Sequence, residues 1–131
     1  MNKQYYISEA KRAANIQINE LKKIKKIFNK SFIKAVDLIL NCKGKIIFAG
    51  IGKSGLIARK ISSTFSSVGI PSFFCDPAQA LHGDMGQIEK KDILIIFSYS
   101  GNTSELTNMI KYAIRFRIKI IGVASKAESI L

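Results

Sequence analysis

The sequence predicts a doubly wound α/β domain with a parallel sheet and an N-terminal helical segment. Four short apolar runs, at 45–50, 71–75, 92–98 and 118–124, alternate with stretches of helical pattern. This alternation is typical of right-handed βαβ units. The runs are apolar throughout rather than at every second position, which indicates strands that are buried on both faces.

The first forty residues are predicted to be helical, because apolar residues recur there at three- to four-residue spacing: Ile7, Ala10, Ala14, Leu21, Ile24 and Phe28. Ser31 is predicted to cap a second helix that ends near Asn41. We therefore expect one domain, in which a helical preface over 1–44 precedes an α/β core over 45–131.

The segments between the predicted strands carry helix signals. Residues 53–69 place apolar side chains on one helical face and end at Gly69. Asp76 is predicted to be an N-cap, with Pro77 at the first helical position. Residues 100–117 form a polar loop that leads into a helix, and the fourth strand follows.

Length and composition indicate an ordinary globular protein. The chain has 131 residues, of which 47% are hydrophobic and 23% charged. No apolar run approaches the roughly 18 residues that a membrane span needs, and the N-terminus has no apolar export signal. Two cysteines, Cys42 and Cys75, match no metal-ligand spacing. The expectation is a cytoplasmic protein with reduced thiols and no metal site.

The formal net charge of +12 is concentrated near the N-terminus, since residues 1–45 hold eleven basic and three acidic residues. In 21–30 the lysines alternate with isoleucines, as on the solvated face of an amphipathic helix. The sequence shows no interleaved aromatics and no nucleic-acid-reading motif. We therefore expect neither nucleic acid nor a membrane as a partner.

A glycine-rich turn, GIGKSG at 50–55, directly follows the first predicted strand. Gly50, Gly52 and Gly55 fit the dinucleotide fingerprint, and Asp76 follows at a suitable distance. A lysine inside that turn is unusual for the fingerprint, however, and a helix cap explains Asp76 equally well. A P-loop is excluded because Ile47 stands where its first glycine belongs. A dinucleotide and a sugar phosphate both remain open on this turn alone.

A second polar loop, SYSGNTSE at 98–105, follows the third predicted strand and opens a helix. Its four hydroxyl side chains exceed the one that a helix cap requires, and a helix N-terminus favours an anion. Carboxyl ends of parallel strands share one edge of the sheet, so both loops are expected at that edge. Together they favour a phosphate monoester of a small polyol.

Three segments in this order, GIGKSG, SFFCDPAQALHGDMG and SYSGNTSE, resemble the sugar isomerase (SIS) domain family, and within it the arabinose-5-phosphate isomerase branch. The resemblance covers nearly the whole chain. It implies a flavodoxin-like fold and interconversion of ribulose 5-phosphate and arabinose 5-phosphate, which feeds synthesis of the lipopolysaccharide sugar Kdo. It also implies a homo-oligomer, a tetramer, with sites shared between subunits.

Aldose–ketose isomerisation through an enediol needs a base, groups that polarise the oxygens and a phosphate anchor, and it requires no cofactor. The resemblance implies that Lys53, His82 and Glu105 are catalytic. It also implies a set of substrate-binding residues in the two loops: Gly52, Ser54, Gly55, Ser98, Ser100, Gly101, Asn102, Thr103 and Ser104.

The sequence departs from the family pattern at three places. Asn102 stands where relatives often have glutamate, and Asp76 where some have a histidine able to bind zinc. The fifth strand, the closing helix with another glutamate and histidine, and the CBS modules of many relatives are not among these 131 residues. The fourth strand is therefore expected to have an exposed edge. A non-catalytic sugar-phosphate-binding domain and an inactive fragment are the alternatives.

Overall fold

A computed structural model describes residues 3–126 and 129–131. The chain divides into two compact units, Met1–Asp37 and Leu38–Leu131. The first unit contains helix α1 (Lys3–Lys23), a 3₁₀ turn (Ile24–Ile27) and most of helix α2 (Lys30–Leu40). The predicted helical character of the first forty residues is confirmed, except that residues 1 and 2 lie outside the described part.

Helix α2 begins one residue before Ser31, so the prediction that Ser31 caps it is wrong. The side-chain oxygen of Asn29 instead accepts hydrogen bonds from the backbone N–H groups of Ser31 (2.8 Å) and Phe32 (3.3 Å). Asparagine caps a helix as well as serine does. The cap of α2 therefore lies two residues earlier than predicted, shortly after the 3₁₀ turn ends at Ile27.

The second unit has the predicted alternation of strands and helices. After the end of α2 its elements are β1 (Ile46–Gly50), α3 (Gly52–Ser67), β2 (Ser72–Cys75), α4 (Pro77–Ala80), a 3₁₀ turn (Asp84–Gln87), β3 (Ile93–Ser98), α5 (Ser104–Arg115) and β4 (Lys119–Ala124). The cap predicted at Asp76 is confirmed, since its carboxylate accepts a hydrogen bond from the Ala78 N–H at 3.0 Å. Gly69, beyond α3, has a φ of +84°.

The four strands form a parallel sheet in the order β2-β1-β3-β4. The chain passes outward from β1 to β2 and then returns across β1 to place β3 on its other side. The order therefore reverses between β1 and β3, where Gly50 lies opposite Phe97. In such sheets the crevice at this switch point, at the carboxyl ends of the strands, is where ligands bind.

Helices cover both faces of the sheet, as a doubly wound fold requires. On one face, alternate residues of β1 and β3 pack against α5 in a buried cluster that includes Ile47, Leu94, Ile96, Leu106 and Met109. On the other face, the intervening strand residues pack with α3 in a cluster that includes Ile46, Phe48, Ile93, Ile95 and Ala58. β4 lies at the sheet edge, as expected, and most of its residues are exposed. The prediction that this run is buried on both faces is therefore wrong, because no second strand pairs with β4 in the described sheet.

Asp92 holds together the ends of the strands opposite the switch point. Its carboxylate is buried and accepts hydrogen bonds from the backbone N–H groups of Lys45 and Glu89, both at 2.8 Å. The Lys45 ammonium lies 3.2 Å from the second oxygen. Burial raises the pKa of the Asp92 carboxyl, but these donors outweigh burial and hold the pKa below its usual value.

Replacing Asp92 by alanine is expected to lower the free energy of unfolding by about 3 kcal/mol, because two backbone donors lose their acceptor. The folded-state pKa is below the unfolded value of about 4. The stabilisation is therefore complete above that value and is lost as the pH falls through the folded pKa. Urea denaturation at pH 7 and at pH 3 measures both effects. A Glu20→Gln control, at an exposed ion pair with Lys23, should leave the urea midpoint almost unchanged.

Among the residues that the structure describes, no helix is both long enough and apolar enough to cross a bilayer.

Candidate functional site

The two polar loops predicted to share one edge of the sheet line one cavity. The cavity has a volume of about 330 Å³ and opens at the carboxyl ends of β1 and β3. The turn after β1 contributes Ile51, Lys53 and Ser54, and the segment at the end of β3 contributes Phe97, Ser98, Tyr99, Ser100 and Thr103. The structure thus confirms that the loops meet at the switch point.

A second cavity, of about 400 Å³, lies at the opposite end of the strands. Its lining includes Lys45, Ile70 and Ser72. Ligands of open α/β sheets bind at the carboxyl ends of the strands, so the larger volume does not make this cavity the better candidate.

Gly52 and Gly55 are each required in the first turn, for different structural reasons. Gly52 has a φ of +56°, which favours glycine. A Cβ atom on Gly55 would lie 2.6 Å from the carbonyl oxygen of Gly50, so α3 can approach the end of β1 only without a side chain there. Tight turning and close packing account for this spacing without a dinucleotide.

Both helices that begin at the cavity start without a side-chain cap in the described structure. The N-cap of α3 is Ile51, whose side chain has no acceptor atom. The N-cap of α5 is Thr103, which makes no capping hydrogen bond because its hydroxyl pairs with that of Ser98 at 3.1 Å. The N-cap side chains therefore leave the first N–H groups of both helices uncapped, although the Glu105 carboxylate accepts from its own N–H in α5. The starts of both helices carry the positive end of the helix dipole.

The hydroxyl groups of the second loop shape the loop rather than cap the helix. Ser98 Oγ accepts a hydrogen bond from the Gly101 N–H at 3.0 Å, and Ser100 Oγ accepts one from the Asn102 N–H at 3.3 Å. Gly101 has a φ of +71°, the left-handed conformation that this turn requires. The Asn102 side-chain oxygen accepts a hydrogen bond from the Ile130 N–H at 3.1 Å. These bonds fix the path of the loop into α5.

Lys53 gives the cavity a positive charge. It is exposed, lies in the first turn of α3 and is the one basic residue among the described residues that line the cavity. An ammonium group beside two helix N-termini favours a dianion such as a phosphate monoester.

Glu105 and His82 are not among the described residues that line this cavity. Glu105 lies in the first turn of α5, where its own N–H and then the Ser104 hydroxyl, at 2.8 Å, hold the pKa of its carboxyl below the usual value. His82 is exposed and follows α4, after the end of β2. Of the three predicted catalytic residues, Lys53 lines the cavity together with the polar loop at 98–105, which we call the serine loop. His82 and Glu105 lie outside the described lining of the cavity.

The structure adds residues that sequence reasoning missed. Tyr99 lines the cavity, and an adjoining cavity of about 210 Å³ contains Ile57, Val123, Ala124 and Ser125. Tyr99 could have been recognised from the sequence, because it is an aromatic residue between two serines of the polar loop. The residues of β4 had none, since their position beside β3 depends on the strand order.

The sequence profile of the SIS domain matches residues 39–131. The chain belongs to the SIS domain family. Its resemblance to that family is thus confirmed, and the matched region contains both loops of the cavity.

Similar proteins carry sugar-phosphate names. The Haemophilus influenzae protein named "Probable arabinose 5-phosphate isomerase" is 40% identical over 126 residues, which are 96% of this chain and 37% of that protein. Arabinose 5-phosphate isomerase GutQ of Escherichia coli K12 is 39% identical over 114 residues, which are 87% of this chain and 36% of GutQ. This SIS domain chain therefore spans somewhat more than a third of the length of these relatives.

A solved structure supports the SIS fold. The structure of an E. coli CFT073 protein in complex with arabinose 5-phosphate superposes with a TM-score of 0.86 at 35% sequence identity. The match covers 100% of this chain and 70% of that one.

Proposed function

We propose that this SIS domain binds a phosphorylated pentose and interconverts ribulose 5-phosphate and arabinose 5-phosphate as an aldose–ketose isomerase. The observation that carries the proposal is the cavity at the switch point, where Lys53 lies beside two helix N-termini that have no capping side chain. The names of the relatives and the arabinose 5-phosphate complex of a similar structure support the choice of sugar.

In this proposal the cavity holds the phosphate. The N–H groups at the starts of α3 and α5 donate to the phosphate oxygens, and Lys53 adds a charge-assisted hydrogen bond. The substrate-binding residues predicted in the two loops contact the phosphate or hold the loops in place around it. Holding the phosphate fixes the reacting carbons relative to the protein, which lowers the entropic part of the barrier.

The chemical step needs only proton movement. A base removes the proton from C2 of the aldose, the enediol forms, and the proton returns at C1, while a proton moves between the two oxygens. No net oxidation occurs, so no redox cofactor is required. We assign Glu105 as the base, as the family resemblance implies, because its carboxylate is ionised at neutral pH and lies in the first turn of α5. We assign His82 to ring opening or proton shuttling. The alternative role of Lys53, in place of its contact with the phosphate, is to stabilise the enediolate as a fixed positive charge.

The positions of the assigned groups are consistent with a shared ligand. Glu105 is two residues beyond Thr103, which lines the cavity, and both lie at the start of α5. His82 follows β2, which pairs with β1, so the two strands end at the same edge of the sheet.

The test is turnover of arabinose 5-phosphate by the 131-residue chain, followed by the appearance of ribulose 5-phosphate in ¹H NMR spectra. We expect the wild-type chain to convert the sugar phosphate. We expect the Glu105→Gln variant to bind the sugar phosphate but to lose most of the isomerisation rate. Binding without conversion would favour a non-catalytic sugar-phosphate-binding domain. Absence of both binding and conversion would contradict the proposal and leave an inactive fragment.

We further propose that the protein is a homo-oligomer, a tetramer in the arrangement that the family resemblance implies, and that it supplies Kdo synthesis from the cytoplasm. The exposed apolar side chains of α1, among them Tyr5, Ile7 and Leu21, support self-association because a monomer would leave them in water. Sedimentation velocity at micromolar concentration tests the oligomer, and a monomer would contradict it.

A further inference from the structure

The phosphate cavity continues into a second space with different chemistry. The adjoining cavity of about 210 Å³ shares Ser54, Phe97, Ser98 and Tyr99 with the phosphate cavity. Its remaining walls include the side chains of Ile57 and Val123, which are apolar. A ligand anchored by its phosphate at Lys53 can therefore extend past Tyr99 into a more apolar space.

Tyr99 is among the exposed aromatic residues, and it lines both cavities. Its relative exposure is 82%, although five of the six residues of the preceding strand β3 are buried. Aromatic rings contribute most to stability when they are buried. A solvent-accessible aromatic ring that lines a cavity is available for contact with a ligand.

The backbone at Tyr99 is held in place by the end of β4. Both the backbone N–H and the hydroxyl of Ser125 donate hydrogen bonds to the Tyr99 carbonyl oxygen, at 3.2 Å and 2.5 Å. Ser125 itself lines the adjoining cavity. The attachment point of the ring is thus fixed at the junction of the two cavities.

We infer that Tyr99 is a substrate-contacting residue that determines specificity for a phosphorylated sugar over free phosphate. The ring provides a flat apolar surface for the C–H face of the carbon chain, while the phosphate occupies the cavity at Lys53. This inference rests on the proposed function and deepens it, because it assigns the part of the ligand beyond the phosphate to a named surface.

Two ligands separate the roles of the cavities. Isothermal titration calorimetry measures the Kd of inorganic phosphate and of arabinose 5-phosphate for the wild-type chain, Tyr99→Ala and Tyr99→Phe. We expect the Kd of phosphate to be unchanged in all three. For arabinose 5-phosphate we expect about a tenfold weakening in Tyr99→Ala and less than about a twofold change in Tyr99→Phe, which keeps the ring. In turnover, Tyr99→Ala should raise KM more than it lowers kcat.

The outcomes that overturn this inference differ from those that overturn the proposed function. If wild type binds arabinose 5-phosphate and Tyr99→Ala binds it equally well, the inference about Tyr99 is wrong while the proposed function stands. Equal losses for phosphate and for the sugar phosphate would also overturn it, since the ring would then only support the loop. A variant that changes the sedimentation coefficient but not the affinities would assign Tyr99 to a protein contact. If wild type binds neither ligand, both proposals fail.

Discussion

Replacing Lys53 by methionine is expected to weaken the binding of phosphate and of arabinose 5-phosphate about a hundredfold. Methionine keeps most of the side-chain length and removes the ammonium group. A hydrogen bond to a charged group contributes about 1.5 to 3 kcal/mol, and Lys53 is the basic residue among the described residues lining the cavity. If Lys53 also stabilises the enediolate, kcat should fall by a further factor of about 100.

Calorimetry of both ligands and a turnover assay measure these losses. Lys60→Met is the matched control, because Lys60 lies on the same helix, is exposed and donates a hydrogen bond to Thr64 at 3.0 Å. This control should bind both ligands as wild type does. Raising the salt concentration should narrow the difference between Lys53→Met and wild type, since salt screens exposed charges. Wild-type affinity in Lys53→Met would show that the anion is bound elsewhere.

Replacing Gly55 by alanine is expected to lower the free energy of unfolding by about 3 kcal/mol and to abolish detectable phosphate binding. The added Cβ would lie 2.6 Å from the Gly50 carbonyl oxygen and 3.2 Å from its carbon. These are backbone atoms of a buried strand and cannot rotate away, so α3 must move outward. That movement carries Lys53 and Ser54 away from the serine loop.

Urea denaturation and phosphate titration of Gly55→Ala measure the two effects separately. Gly86→Ala is the control, because a Cβ there meets no atom within 4 Å and the backbone is not in the left-handed region. It should change stability by less than about 0.5 kcal/mol. Equal stability of Gly55→Ala and Gly86→Ala would contradict the close packing of α3 against β1.

The sequence predicted the fold because the pattern of each element is local. Within the run 92–98, residues 93–97 are all apolar, and this property distinguishes a buried parallel strand from an amphipathic one. The predicted N-cap of α2 was wrong because Asn29 and Ser31 are both good N-cap residues and lie in the same turn. The choice between them depends on where the preceding 3₁₀ turn ends, which periodicity does not show.

The candidate site was predictable only in part. The glycine turn and the serine loop have recognisable composition, and their placement at one edge follows from parallel pairing. The adjoining cavity was not predictable, because Ile57 and Val123 come together only through the position of β4 beside β3. The separation of His82 and Glu105 from the cavity lining also depends on side-chain directions that motif spacing does not encode.

Because the Thr103 hydroxyl pairs with that of Ser98 rather than capping α5, a sugar phosphate bound as proposed would stabilise the folded protein. A missing cap costs a helix about 1 kcal/mol, and a bound anion can replace what two helices lack. We therefore expect the folded population to rise with the concentration of the sugar phosphate, by mass action. Cells short of this compound would then lose the protein faster to proteolysis, so that substrate supply would itself adjust how much of the protein persists.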